Sequence, residues 1–522
     1  MTLQGTSIIG NENGSGNESP IHGINPASGE ILQPPYPSAT EDEIQRACKL
    51  AGDAFDTTSR LSGKNRAAFL RKTADNIEGI VEDLVLRATA ETGLPEPRIR
   101  METGRTCGQL RLFAGLVEEG SWVDARIDQA NPERQPIPKP DTRSMLRPVG
   151  PVVVFCASNF PLAFSVAGGD TASAFAAGCP VIVKAHHAHP GTAELVGQAV
   201  RHAVRECGLP EGTFSLIYGS GRTVGAQLVQ HQTIKAVGFT GSRAGGRALF
   251  NLASARPEPI PVYAEMSSVN PIFILPGALA ERGEEIATGL HGSSIMGVGQ
   301  FCTNPGIVLT QASESAQNFA ASFTEKMSRT GAATMLHSGI RDAYEKGVEA
   351  HEGIASVQTL TRHNEEAGPG QCNVGTAVFS TTAEEFLANP ELTNEIFGPA
   401  SLLVQYTDHG QALDVAKKLE GQLTATIFGT DDELAENKEL IAVLESKAGR
   451  LIFNQFPTGV EVCHSMVHGG PYPATTDGRS TSVGTGAILR FSRPVCYQNF
   501  PQGSLPDEIK DGNPLKIHRI EN

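Results

Sequence analysis

Residues 149–192 read VGPVVVFCASNFPLAFSVAGGDTASAFAAGCPVIVKAHHAHPGT, and this stretch decides the fold. The run 149–156 is apolar on every other and nearly every position, as a strand buried on both faces must be. Residues 161–177 are small and apolar, read as helical, and stop at Gly178. A second apolar strand, 181–184, ends on Lys184, and residues 191–207 set Val196, Val200 and Val204 on one helical face. Strand–helix–strand–helix with Val/Ile-rich strands predicts a parallel sheet covered by helices on both sides.

Outward from this stretch the alternation continues. Strands are expected at 214–218 and 234–239, with helices at 224–230 and 243–253. The pattern then repeats with strands at 272–275, 307–310, 377–380, 401–406, 423–428 and 451–454. Helices fall at 281–296, at 409–418 and 431–447, with two more before about residue 353. Upstream, residues 41–126 read as helical, with Ser62 as a cap, and residues 1–35 as an extended lead-in. The Pro-rich segment 127–147 reads as a protruding arm, and 487–496 as a strand. The expected organisation is a dinucleotide-binding domain (1–126 and 148–264), a catalytic domain (265–470), an oligomerisation arm (127–147 and 485–500) and a polar tail (501–522).

Composition narrows the function. A net charge of −15 over 522 residues lacks the basic face that a nucleic acid needs. No apolar run approaches membrane-spanning length, and the first residues have no leader pattern, so a cytoplasmic protein is expected. Nine cysteines with no CxxC or CxC spacing fit neither a disulfide framework nor a zinc site; no metal is expected, and a thiol is free for chemistry.

Five places carry that chemistry. Cys302 lies in the glycine-flanked GVGQFCTNPG (297–306), where a thiol has access and nearby backbone N–H groups, although most cysteines only fill space. Glu265 ends an apolar strand; it is a solvated strand end or a general base raised by apolar neighbours. Asn159 follows the first strand, as an oxyanion donor or a helix cap before Pro161. The strand-end turn with Gly241, Ser242 and Gly246 presents backbone N–H groups to a phosphate, or is an ordinary capped turn. Lys184, at a strand's C-terminal end, faces a ligand crevice or solvent.

Taken together, ASNFPLAF, VIVKAHHAHPGT, GFTGSRAGGR, AEMSSVNP, GQFCTNPG and NEIFGP, in this order, resemble the aldehyde dehydrogenase superfamily from about residue 24 to 501. The resemblance implies a Rossmann-type cofactor domain, an α/β catalytic domain and an oligomerisation arm. It implies Cys302 as nucleophile, Glu265 as general base and Asn159 as oxyanion donor with the Cys302 N–H. Glu395 would bind the nicotinamide ribose, with Phe397 against the nicotinamide end. Lys184 would meet the adenosine ribose, and Gly241, Ser242 and Gly246 the pyrophosphate. Phe160, Phe456 and Val460 would line the aldehyde pocket. A homodimer or homotetramer, with the arm and residues 487–496 pairing across subunits, is implied as well.

Three departures are informative. The base is followed by Met266-Ser267-Ser268, where many members have Leu-Gly-Gly, and Ser158 replaces the usual Trp. His187 stands where NAD-preferring members often carry a ribose-binding glutamate, so repulsion of a 2′-phosphate is absent and NADP is expected, with NAD possible. With the segment 468–501, these features are similar to the branch that oxidises 2,5-dioxovalerate (α-ketoglutaric semialdehyde) to 2-oxoglutarate. The alternatives are a long-chain aldehyde dehydrogenase using NADP, a CoA-acylating member, and a silent structural member.

Overall fold

A computed structural model describes residues 2–16, 20–364 and 368–522. Among these, two seven-stranded sheets dominate. In the first, Val262–Glu265, Ala236–Thr240, Val152–Phe155, Val181–Lys184 and Phe214–Ile217 run parallel in that order. Strand side chains alternate between two cores. Val152, Val154, Val181 and Val183 enter one, and Val153, Phe155 and Ile182 the other. Both faces are covered, which is why these strands read as continuous apolar runs.

The second sheet orders Gln358–Arg362, Ala377–Thr382, Ala400–Tyr406, Ile307–Gln311, Ile272–Ile274, Gln422–Phe428 and Ala448–Phe453; all neighbours are parallel except the first pair. It too separates two cores, with Leu309 and Phe379 on one side and Val308 and Val378 on the other.

Four expectations need correction. The lead-in is not merely extended: Ile8–Ile9 pairs with Phe214–Ile217, and Ile8 and Ile9 are buried (Met1 and residues 17–19 lie outside the described residues). The helix expected from 161 begins only at Gly169. Glu102 explains this, because its Oε1 accepts from Leu162 N (2.9 Å) and Ala163 N (3.0 Å) and holds that stretch as turns. Residues 485–491 form a 3-10 helix, so the strand expected from 487 starts at Ser492.

The arm and tail differ most. Strand Ser492–Gln498 pairs with Thr142–Pro148 of the same chain, and Arg126–Asp128 and Ile520–Glu521 complete a four-stranded sheet. The tail, expected to be merely polar, is anchored by buried Leu505, Ile509 and Ile517 against Val123, Ala125 and Met145. Arg143 Nη1 donates to the Ile509 carbonyl at 2.8 Å, fixing it further. No helix among the described residues is long and apolar enough to cross a membrane.

Candidate active site

The loop bearing Cys302 is strained and tightly packed. Gly297, Val298 and Gly299 are all left-handed, with φ of 55°, 58° and 66°. A β-branched residue there costs about 1–2 kcal/mol, so neighbouring contacts must impose the shape. At Gly299 the reason is visible: a Cβ would lie 2.2 Å from the Gly398 carbonyl carbon. Glycine alone lets this loop press against the segment carrying Glu395 and Phe397.

Asn270 clamps the loop from below. Its Nδ2 donates to the carbonyls of Cys302 (2.8 Å) and Asn304 (2.9 Å). Gln422 Oε1 in turn accepts from Val269 N (2.8 Å) and Asn270 N (3.2 Å). Ser268 Oγ lies 2.9 Å from Gln422 Oε1 and accepts from Leu423 N at 3.0 Å. Ser268 thus joins a buried polar network that holds residues 268–270 to strand Gln422–Phe428 and to the Cys302 loop.

Around the thiol, three groups converge. Cys302 Sγ is 3.3 Å from His468 Nε2, and that nitrogen is 2.9 Å from Glu265 Oε1. Ser482 Oγ donates to the other carboxylate oxygen, Glu265 Oε2, at 2.6 Å. Glu265 and His468 are each 1% exposed. Burial pushes Glu265 up, but the His468 contact, the Ser482 hydrogen bond and nearby Arg490 outweigh it, leaving the carboxyl below its ordinary range. This corrects the expected direction: Glu265 is an ionised carboxylate, because its polar partners outweigh its apolar surroundings. Burial, and then Glu265 itself, push the Cys302 thiol well above its ordinary range, so the resting cysteine is a thiol.

Asn159 sits across the loop, and its Nδ2 donates to the Gln300 carbonyl at 3.0 Å. One N–H is used to orient the amide, and the second remains available to a developing oxyanion. It does not cap a helix, since none begins there. Phe160 packs edge-on against Phe164 and Phe301, both at 5.2 Å between ring centres. Val460 enters through its carbonyl, 3.5 Å from Arg105 Nη2. Phe456 points elsewhere; it packs 4.8 Å from Phe428 in the core behind the long helix Pro276–Ile295.

The expected cofactor residues line the C-terminal ends of the first sheet. Ser242 caps helix Arg243–Ser254 by accepting from Gly245 N at 3.2 Å, and Gly241 N donates to the Glu265 carbonyl at 3.1 Å. A Cβ on Gly246 would lie 2.7 Å from the Met266 side chain, so glycine brings that helix onto its strand. Lys184 is buried with no carboxylate within ion-pair distance among the described residues; burial pushes it down to about 8. Glu395 lines a cavity with Phe397, Ser268 and Asn304, and burial pushes its carboxyl up to about 7.

His187 stacks on His186 at 4.3 Å and meets His337 at 5.1 Å. His187 keeps an exposed edge, and desolvation by the rings packed on it, with Lys184 adding, pushes it down to about 4. The cluster is therefore uncharged at neutral pH. What His187 offers a phosphate is an N–H donor in place of a repelling carboxylate, without a positive charge of its own.

His468 and Arg105 were not singled out in the sequence. His468 is the first residue of the segment that distinguishes the branch, but an isolated histidine before two glycines has no spacing that marks it.

The aldehyde dehydrogenase family matches residues 13–482. The chain is 50% identical to alpha-ketoglutaric semialdehyde dehydrogenase 2 of Azospirillum brasilense, over 100% of this chain and 99% of that protein. It is 47% identical to the alpha-ketoglutaric semialdehyde dehydrogenase of Acinetobacter baylyi, over 99% and 98%. In fold it is similar to gamma-glutamyl-gamma-aminobutyraldehyde dehydrogenase of Burkholderia cenocepacia, with a TM-score of 0.82, 20% identity, and 95% and 97% of the two chains covered. A betaine aldehyde dehydrogenase of Staphylococcus aureus in complex with NAD+ has a TM-score of 0.81 at 20% identity, with 96% of each chain covered. The match over most of the chain and the identity to relatives along its whole length place it plainly: the chain belongs to the aldehyde dehydrogenase family.

Proposed function

We propose that the protein oxidises α-ketoglutaric semialdehyde to 2-oxoglutarate with NADP, through a thioester on Cys302. The observation that carries this is the meeting of Cys302, His468 and Glu265 within 3.3 Å contacts, opposite the Asn159 amide. The relatives in Azospirillum and Acinetobacter, similar over the whole chain, support the substrate.

The residues fit a dinucleotide: a buried lysine without a carboxylate suits ribose hydroxyls, and the capped helix start suits a pyrophosphate. Lys184 and His187 would hold the adenosine end, Gly241, Ser242 and Gly246 the pyrophosphate, and Glu395 and Phe397 the nicotinamide ribose. When bound, this group supplies the hydride acceptor.

The chain supplies the rest. Cys302 must lose its proton; His468 Nε2, 3.3 Å from Sγ and 2.9 Å from Glu265 Oε1, takes it from the tautomer that carries its hydrogen on Nδ1, and the new Nε2–H then donates to the Glu265 carboxylate. The thiolate attacks the aldehyde carbon while the free Asn159 N–H and the Cys302 backbone N–H hold the oxyanion. After oxidation, Glu265 takes a proton from the water that cleaves the thioester, and Ser482 keeps its carboxylate in place. Hydrolysis by a buried carboxylate favours acid over acyl-CoA as product. The arm sheet offers exposed strand edges for assembly into a dimer or tetramer.

The test is a kcat/KM panel of α-ketoglutaric semialdehyde, succinic semialdehyde, glutaraldehyde and decanal, each with NAD and NADP. The carboxylated C5 aldehyde with NADP is expected to lead. Activity confined to decanal would overturn the substrate, and a higher kcat/KM with NAD would overturn the cofactor preference.

A further inference from the structure

The substrate proposed above carries a second charged end, and its receiver must be a cation inside the pocket. Three arginines surround the aromatic floor beside Cys302, and they are not equivalent. Arg98 stacks 4.6 Å from the Phe160 ring and 4.8 Å from Phe301, but Glu102 at 3.3 Å already balances its charge. Arg450 spends its two terminal nitrogens on the carbonyls of Gly459 (3.1 Å) and Pro457 (2.7 Å), where it holds a loop.

Arg105 differs from both. Arg98 and Arg450 also keep one buried nitrogen without a partner, but among the described residues Arg105 has neither a carboxylate within ion-pair distance nor a short hydrogen bond: Nη1 is buried with no partner and Nη2 makes only a 3.5 Å contact to the Val460 carbonyl. A buried guanidinium nitrogen without an acceptor is costly, and an anion or a water that reached it would be held there. The guanidinium lies 5.3 Å from the centre of the Phe164 ring, which packs in turn against Phe160 at 5.2 Å and His468 at 6.1 Å. The chain Arg105–Phe164–His468–Cys302 thus runs from the cation to the thiol. Burial lowers Arg105 below the usual guanidinium range, with Glu102 and then the ionised form of Cys302 acting to raise it.

We infer that Arg105 binds the distal carboxylate of the aldehyde substrate and thereby selects a short α-keto semialdehyde over a neutral aldehyde. The inference rests on the proposed substrate. In that molecule the aldehyde carbon and the carboxylate carbon are about 5 Å apart when extended, four bonds in a zigzag. Phe160, Phe164 and Phe301 would pack along the intervening methylenes, and Arg105 would close the far end with a charge-assisted pair. A neutral aldehyde of equal length leaves the guanidinium without its acceptor, which penalises the wrong substrate.

The test compares the wild-type enzyme with R105M, R105Q and R105K on α-ketoglutaric semialdehyde and on pentanal, with saturating cofactor. The readout is the ratio of the two kcat/KM values. R105M and R105Q are expected to lower that ratio about a hundredfold, mainly through KM, and R105K about tenfold, because a lysine keeps the charge but not the fork. A ratio within threefold of wild type in R105M or R105Q overturns the assignment, as does an equal loss on both aldehydes. If R105M does not fold, R105Q and R105K carry the same comparison. A wild-type enzyme with no preference for the carboxylated aldehyde would sink the substrate reading itself; a preference that survives R105M sinks only Arg105.

Discussion

Replacing His468 by glutamine separates the two halves of the reaction. Glutamine keeps approximate size and polarity but cannot take a proton. In the native site the thiol is held well above its ordinary range by burial and by Glu265, so little thiolate exists without a base. An imidazolium 2.9 Å from the Glu265 carboxylate gains about 6 kcal/mol of attraction at an effective dielectric of about 20, before desolvation is subtracted. A positioned base is worth about 10²–10⁴ in rate, so thioester formation in H468Q should slow by about 10³, or about 4 kcal/mol of barrier. Stopped-flow absorbance of reduced nicotinamide measures that step as a burst. The burst should vanish, leaving a slow linear rate, and alkylation of Cys302 by iodoacetamide should slow in parallel at neutral pH. A burst within threefold of wild type would refute the reasoning, and show that Glu265 or water alone takes the thiol proton.

Three further outcomes follow from the same contacts. E265Q should retain part of its burst but stall after about one equivalent per active site, with steady-state turnover down about 10³-fold, because water is no longer activated; mass spectrometry should find acylated Cys302, and an unmodified enzyme would count against Glu265 in hydrolysis. S482A removes a 2.6 Å hydrogen bond to the charged form of Glu265, so the carboxyl rises and the acid limb of the kcat profile moves to higher pH; a shift to lower pH would contradict the assignment. N270A strands the carbonyls of Cys302 and Asn304 and should cost about 3 kcal/mol, read from the urea midpoint together with a fall in kcat.

The fold was legible wherever burial on both faces wrote itself as an unbroken apolar run. Val152–Phe155 and Val181–Lys184 have every residue buried, and the expected strands lie within a residue or two of the real ones at their C-terminal ends. Periodicity misled where side chains satisfy backbone. Residues 161–168 have the composition of a helix, but the Glu102 carboxylate, 60 positions upstream, takes the N–H groups of Leu162 and Ala163, and no local pattern reports that. The tail was misread for a related reason: three apolar residues among many polar ones are enough to anchor it once Arg143 supplies a buried partner.

The site was legible as a set of residues but not as a proton path. Cys302, Glu265 and Asn159 stand in motifs whose order is informative, whereas His468 and Arg105 act through distances of 166 and 197 positions from the cysteine. The helix Glu96–Glu119 illustrates why such residues escape. Its buried face sets Ile99, Cys107, Leu110, Phe113 and Val117 into the core and interleaves Glu102, Thr103, Thr106 and Gln109 among them, so the apolar stripe reports the helix and not the polar groups turned to the site. In sequence, a polar side chain that faces a pocket looks like one that faces water. The polar residues on that face are therefore the ones to test: Glu102 shapes the Asn159 loop, and Arg105 keeps a buried nitrogen with no partner among the described residues.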